Sequence, residues 1–271
     1  MAYYPFAPQI GCKYVLTNGV ARAVLNDQTD PDYVGVVKEM TGLDSPEVRE
    51  SAEDLVQADG GAHGLFWYGR RPITATIQVA NVTGPADRDA KIDKLIRATN
   101  AMRSDAILWW QNNPTTSTLP MQTWVRRQQP LRMTGAWVKE VQIALVSQYA
   151  PLFGATSRAS GTVASGSPVV LENQGSYPSY PVIRVNGPST NPQVAVTGAG
   201  TLKTTGLTIA SGAYVDFDML NHTAVRNDGT SMNRYIDFTN ITAWPSLASG
   251  NNTFTLTGGG SMVVFWRDAW V

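Results

Sequence analysis

Two histidines, His63 and His222, one lone cysteine, Cys12, and one close pair of acids, Asp216 and Asp218, are the residues of this 271-residue chain whose types could do chemistry. Asp216 and Asp218 lie two apart in Ala-Tyr-Val-Asp-Phe-Asp, so on a strand they share a face. That spacing suits the two carboxyls of a glycosidase, or part of a calcium site. The plainer reading is a solvated strand face opposite buried Val215 and Phe217, because only 6 acids follow residue 160. The histidines are far apart, and no His-x-x-x-His or Cys-x-x-Cys spacing joins them to form a metal site. No Gly-x-Ser-x-Gly elbow, Walker sequence or dinucleotide glycine pattern occurs. No catalytic residue, cofactor or metal is therefore expected.

Tryptophans and arginines suggest contacts instead. Trp109 and Trp110 are adjacent on an expected strand, so one fills the core while the other is free to meet a neighbour. Arg126 and Arg127, with Arg132 nearby, form a basic cluster that can pair with acids on an adjacent subunit, or can simply be a solvated strand end. Trp109, Trp110, Arg126 and Arg127 are thus the candidate assembly-interface residues.

The elements that carry these residues are mostly strands. Ile73, Ala75, Ile77 and Val79 alternate with Thr74, Thr76 and Gln78, which predicts a half-buried strand. Residues 86–103 predict the one main helix, with Ile92, Leu95, Ile96, Thr99 and Met102 on a single stripe. Asp87 with Lys91 and Asp93 with Arg97 stand four apart, acid first, the favourable order. Further strands are expected at residues 107–110, 119–127 and about 141–149. Residues 41–64 read as an acidic surface excursion with at most one short helix, capped by Ser45 with Pro46 at its first position. Residues 154–168 are Gly, Ala, Ser and Thr with hardly a large apolar side chain. They suggest a linker at 156–168 between a domain at 1–155 and a second at 169–271. In the second, short alternating runs recur with turn signals about every ten residues, the spacing of a β-sandwich. The expected class is mainly β with one main helix: an α+β N-terminal domain and a C-terminal sandwich.

Composition agrees. Formal net charge is zero, which argues against nonspecific affinity for nucleic acid or anionic membrane. Up to residue 160 there are 16 Lys/Arg and 15 Asp/Glu; beyond it there are 5 and 6, so the second domain can meet neighbours at low desolvation cost. A single cysteine excludes an intrachain disulfide. The opening Met-Ala-Tyr-Tyr-Pro-Phe-Ala-Pro has no signal-peptide pattern, and no apolar run suits a membrane span.

Several fragments, taken in order, carry a family resemblance. In the first half they are Asp59-Gly60-Gly61, Tyr68-Gly69-Arg70-Arg71-Pro72-Ile73 and the single amphipathic helix. In the second they are Tyr180-Pro181-Val182-Ile183, Gly187-Pro188, Asn191-Pro192, residues 212–218, Trp244-Pro245-Ser246-Leu247, Gly250-Asn251-Asn252 and Phe265-Trp266-Arg267-Asp268-Ala269-Trp270. The chain resembles the distal tail (Dit) proteins of long-tailed siphophages, also described as minor tail proteins. The resemblance implies an N-terminal ring-forming, β-sandwich-like domain and a C-terminal galectin-like sandwich. It further implies a homo-hexamer at the distal end of the virion tail, assembled in the host cytoplasm. Its partners would be the tail tube protein, the tape-measure protein and the tail-tip hub protein, with genomic DNA only passing through the lumen. The His, Asn, Arg, Trp and Glu run with which galectins bind sugar has no match here; a carbohydrate-binding receptor-recognition module is the alternative.

Overall fold

The computed structural model describes residues 12–44, 46–54, 61–80, 83–100, 105–111, 120–135, 138–238 and 244–271; for 50–54, 61–66 and Ala80 it describes the backbone alone. The chain divides into two compact units between Ala155 and Thr156. No helix among the described residues is long and apolar enough to cross a membrane.

The first unit runs β1 (Lys13–Thr17), β2 (Arg22–Leu25), β3 (Tyr33–Thr41), β4 (Val48–Asp54), β5 (Gly61–Tyr68), β6 (Arg71–Ala80), α1 (Pro85–Thr99), β7 (Ala106–Gln111), β8 (Met121–Arg127), β9 (Arg132–Thr134), β10 (Val138–Ser147) and β11 (Leu152–Gly154). Its main sheet has the order β11-β8-β7-β1-β2-β3-β6-β10-β9. A further pairing of β8 with β10, which sets Val125 opposite Ser147, turns the seven strands from β8 to β10 into a closed circuit. Closure removes most of the edges that an open sheet would present. The alternation expected in β6 is realised: Ile73, Ala75, Ile77 and Val79 are buried with Val141, Ile143 and Leu145 of β10 in one core.

The helix places Ile92, Leu95 and Ala98 in that same core, and both expected ion pairs form, Lys91–Asp87 at 2.9 Å and Arg97–Asp93 at 2.7 Å. Pro85 occupies the first turn, where its missing N–H costs nothing. Met102 and Arg103 lie outside the described residues. The excursion at 41–64 is corrected. Among its described residues there is no helix; they form an antiparallel ribbon, β4 with β5, that pairs with no other described strand. Cross-strand pairing with Gly61–Tyr68 overrides the local Ser-Pro helix signal, a non-local effect that a window of sequence does not contain; Ser45 itself lies outside the described residues.

The second unit continues with β12 (Arg158–Ala159), β13 (Val163–Ala164), β14 (Pro168–Asn173), β15 (Val182–Asn186), β16 (Ser189–Thr190), β17 (Gln193–Val196), β18 (Gly200–Lys203), β19 (Thr208–Ile209), β20 (Tyr214–Asp218), β21 (Thr223–Arg226), β22 (Gly250–Thr257) and β23 (Ser261–Trp266). One sheet follows β12-β23-β15-β20-β21 and the other β14-β22-β17-β18. Ile183, Val185, Val215, Phe217 and Val264 of the first meet Val194, Val196, Phe254 and Leu256 of the second in a single core. This is a β-sandwich. The expected linker at 156–168 is corrected as well: β12 and β13 are both held on β23, opposite Trp266 and Met262. Small residues that cannot fill a core can still hydrogen-bond along an edge.

Candidate assembly surfaces

The residues with chemical potential do not converge. Asp216 takes a bidentate ion pair from Arg184, at 2.7 and 2.8 Å across the β15–β20 pairing. Asp218 accepts the backbone N–H groups of Leu220 and Asn221, both at 2.9 Å, and so clips the turn that follows. Val215 and Phe217 are buried behind them, as a strand face requires. His222 stacks on Trp244 at 4.9 Å, and the backbone of His63 pairs with Ala52 inside the ribbon. Among the described residues no three His, Cys, Asp or Glu gather as metal ligands would.

Of the four candidate interface residues, Trp110 is 3% exposed and lies in the core opposite Tyr14 and Met121, so it has no surface to offer. Its neighbour Trp109 points to the other face and is half-buried. Arg126 is exposed but bonded to Asp105 of its own unit. Arg127 is half-buried opposite Leu145. The structure does not bring the four together as one patch. Trp124, on the same strand as the arginines, instead packs edge-to-face on Tyr149 and Phe153 at 5.7 and 5.2 Å. Trp137 lies outside the described residues.

Three residues within the fragments behind the family resemblance are polar staples. Arg71 is wholly buried, and its guanidinium donates to the carbonyls of Ala150, Gly42 and Asp44 at 2.9, 3.2 and 3.3 Å. Burial holds its pKa below the usual arginine value, partly offset by Asp44. Asn252 closes the turn before β22 with bonds to Ala248 and Gly250, all at 2.8 Å. Asp268 is buried, ion-paired with Arg158 at 3.1 Å, and accepts the Gln174 N–H. Each satisfies groups whose burial would otherwise be costly, while the Nη2 of Arg71 itself is buried with no partner among the described residues.

A further network clamps residues 26–32, the short connection between the parallel neighbours β2 and β3. Lys13 reaches Asp27 and Asp30 at 2.8 and 3.1 Å, Arg22 is bidentate on Asp30, and Lys94 of α1 holds Asp32 at 2.9 Å. The hydrogen bond from Lys13 holds the Asp27 carboxyl down at about 2. Arg22 holds Asp30 lower still, and Lys94 with Arg22 lowers Asp32.

Some large apolar side chains of the first unit are exposed as well. Val20, at the tip of the β1–β2 turn, is 97% exposed, and Val48 and Trp67 at the root of the ribbon are 55% exposed each. Strand β9 is exposed along its whole length and ends the sheet. Sequence reading passed over the ribbon and β9; the apolar run Leu65-Phe66-Trp67-Tyr68 before the Gly-Arg-Arg-Pro turn was the available signal.

Comparison of the whole fold with solved structures decides what it is like. The Dit protein of phage SPP1, described as a paradigm of the hub adsorption apparatus of phages infecting Gram-positive bacteria, superposes with a TM-score of 0.68 over 88% of this chain and 94% of its own, at 13% identity. The fold is that of a Dit protein. Two baseplate structures of phage P2 in its activated conformation, with Ca and with Sr, give TM-scores of 0.54 and 0.55 at 9% and 8% identity, each over 94% of this chain and 96% and 97% of theirs. No family model matches the sequence. No curated protein matches it either. The Dit-like fold, mostly strand with a single α-helix among the described residues, is thus kept here with little sequence in common.

Proposed function

We propose that the chain is a structural subunit of a bacteriophage tail tip. Six copies close through one repeated heterologous contact into a ring that joins the tail tube and the tape-measure end to the hub, leaving a channel for DNA. The observation that carries this reading is the Dit-like fold over 88% of the chain, a share that takes in residues of both units. Fold alone does not specify a role. The site-level support is an isolated two-stranded ribbon with Val48 and Trp67 exposed at its root. A lone hairpin is marginal in water, and a ring contact covers it.

Residues 1–155 form the ring in this reading, and the outer sandwich, as a galectin-like module, docks neighbouring tail-tip proteins. Trp109, Arg126 and Arg127 are proposed to border the ring contact, with Trp110 supporting it from the core. Against the sugar-binding alternative, the Tyr214 ring is already covered by the Arg184 guanidinium at 3.9 Å. Electron microscopy of the purified chain tests the proposal: six-fold rings with an open centre are expected, and particles of one subunit at high concentration would overturn it.

A further inference from the structure

Resting on the tail-tip reading, the structure also narrows which face of the sandwich meets other proteins. Along β15, β20 and β23, Ile183, Val185, Val215, Phe217, Met262 and Val264 are buried in the core, so the residues between them face outward. The outward face of an antiparallel sheet is ordinarily polar. Here it carries Val182, Val263, Phe265 and Tyr214, all half-buried, with Val225 of β21 38% exposed beside them. The outward face of the other sheet follows the ordinary rule, with Thr253, Thr255, Gln193, Thr201 and Lys203, and Val170 on its edge strand.

Arg184 stands at the centre of the apolar face. The register sets it between Asp216 on one side and Val263 on the other, with Val225 opposite Asp216. Its Nε and Nη2 donate to Asp216, and its guanidinium lies 3.9 Å from the centre of the Tyr214 ring and 5.6 Å from that of Phe265. This brace fixes the plane of the side chain and leaves Nη1 with no hydrogen-bond partner among the described residues. The rotamer freedom that a mobile arginine loses on binding is already lost on folding. An arginine ringed by aromatic and aliphatic side chains is the usual anchor of a protein interface.

We infer that this face docks a different protein of the tail tip through an Asp or Glu of that partner, which accepts from Nη1 of Arg184 while apolar residues around it cover Val263, Val225 and Phe265. A carboxylate is the acceptor that gains most from a guanidinium, and an apolar surround that excludes water strengthens the bond. A second sandwich of this chain does not fit the site. Of the 6 acids beyond residue 160, Asp216, Asp218, Asp228 and Asp268 are already bonded within their own unit.

Photo-cross-linking in assembled tails tests it. p-Benzoylphenylalanine replaces Val263 on this face, or Thr253 on the other face as a control. The probe at Val263 is expected to join a different polypeptide, at a peptide that holds Asp or Glu beside apolar residues; the probe at Thr253 is not. Arg184→Met in the Val263-probe background should lower the yield by about tenfold or more. Arg184→Lys, which keeps the charge but not the planar fork, should lower it as well. Circular dichroism checks that each variant is folded. No cross-link at Val263, a cross-link to another copy of this chain, a joined peptide without an acid, equal yield at Thr253, or a yield unchanged by Arg184→Met overturns the inference. Six-fold rings of the purified chain leave the ring reading standing in each of those cases. A purified chain that stays monomeric overturns that reading, and this inference with it.

Discussion

Arg71 shows how a buried charge of this chain serves the fold. Its guanidinium is buried to gather three backbone carbonyls at the foot of the ribbon, not to touch a ligand. Arg71→Met should lower unfolding stability by about 2–4 kcal/mol, since three acceptors lose their donors in a dry site; urea denaturation measures this. The carboxylates of the β2–β3 connection make a second prediction. Asp27 has a folded pKa of about 2, below its unfolded value. Its contribution is therefore complete above the unfolded pKa and is lost as pH falls through the folded one; Asp30 and Asp32 act in the same direction. Stability against urea should decline between about pH 4 and pH 2. Asp30→Asn should flatten that decline and lower stability at pH 7. At this scale the sequence was legible where chemistry was concerned: the strand-face reading of Asp216 and Asp218 holds, with Arg184 the partner that spacing along the chain does not identify.

Among the elements, β6 and α1 were legible because their periodicities are local. Thr-flanked Ile73, Ala75, Ile77 and Val79 must face one way on any strand, and the stripe of Ile92 and Leu95 must face one way on any helix. The ribbon and the strands β12 and β13 were not legible, because each is defined by a partner distant in sequence: Ala159 lies opposite Phe265. Among the described residues the ribbon pairs with no barrel strand, and the Gly69 N–H to Glu47 carbonyl bond of 2.7 Å closes its foot. Replacing residues 49–67 by a two-residue Asn-Gly turn should therefore leave a folded protein with near-native thermal stability that no longer self-associates, as seen by light scattering. In the sandwich, Gly175 is a packing requirement. A Cβ there would lie 1.7 Å from the Ala269 carbonyl oxygen. Gly175→Ala should cost about 2 kcal/mol or more, because backbone must move to admit it.

For the molecule as a whole, each unit has its own core, so residues 1–155 should fold alone, with a cooperative thermal transition. In the ring reading they should also assemble alone; a stable monomer at high concentration would count against it. The amino-acid order was enough for the class of the protein, since apolar periodicity, turn residues and sparse charge are carried within a few neighbours of each position. It was enough, too, for the resemblance to Dit proteins, because the staples Arg71, Asn252 and Asp268 stand in order along the chain. Closure of the barrel through β8 and β10, the lone ribbon, and the burial of Trp110 rather than Trp109 came only with the folded chain. Each depends on which strand lies beside which. Hydrogen bonding between strands far apart in sequence settles that, and leaves no periodic trace in either strand.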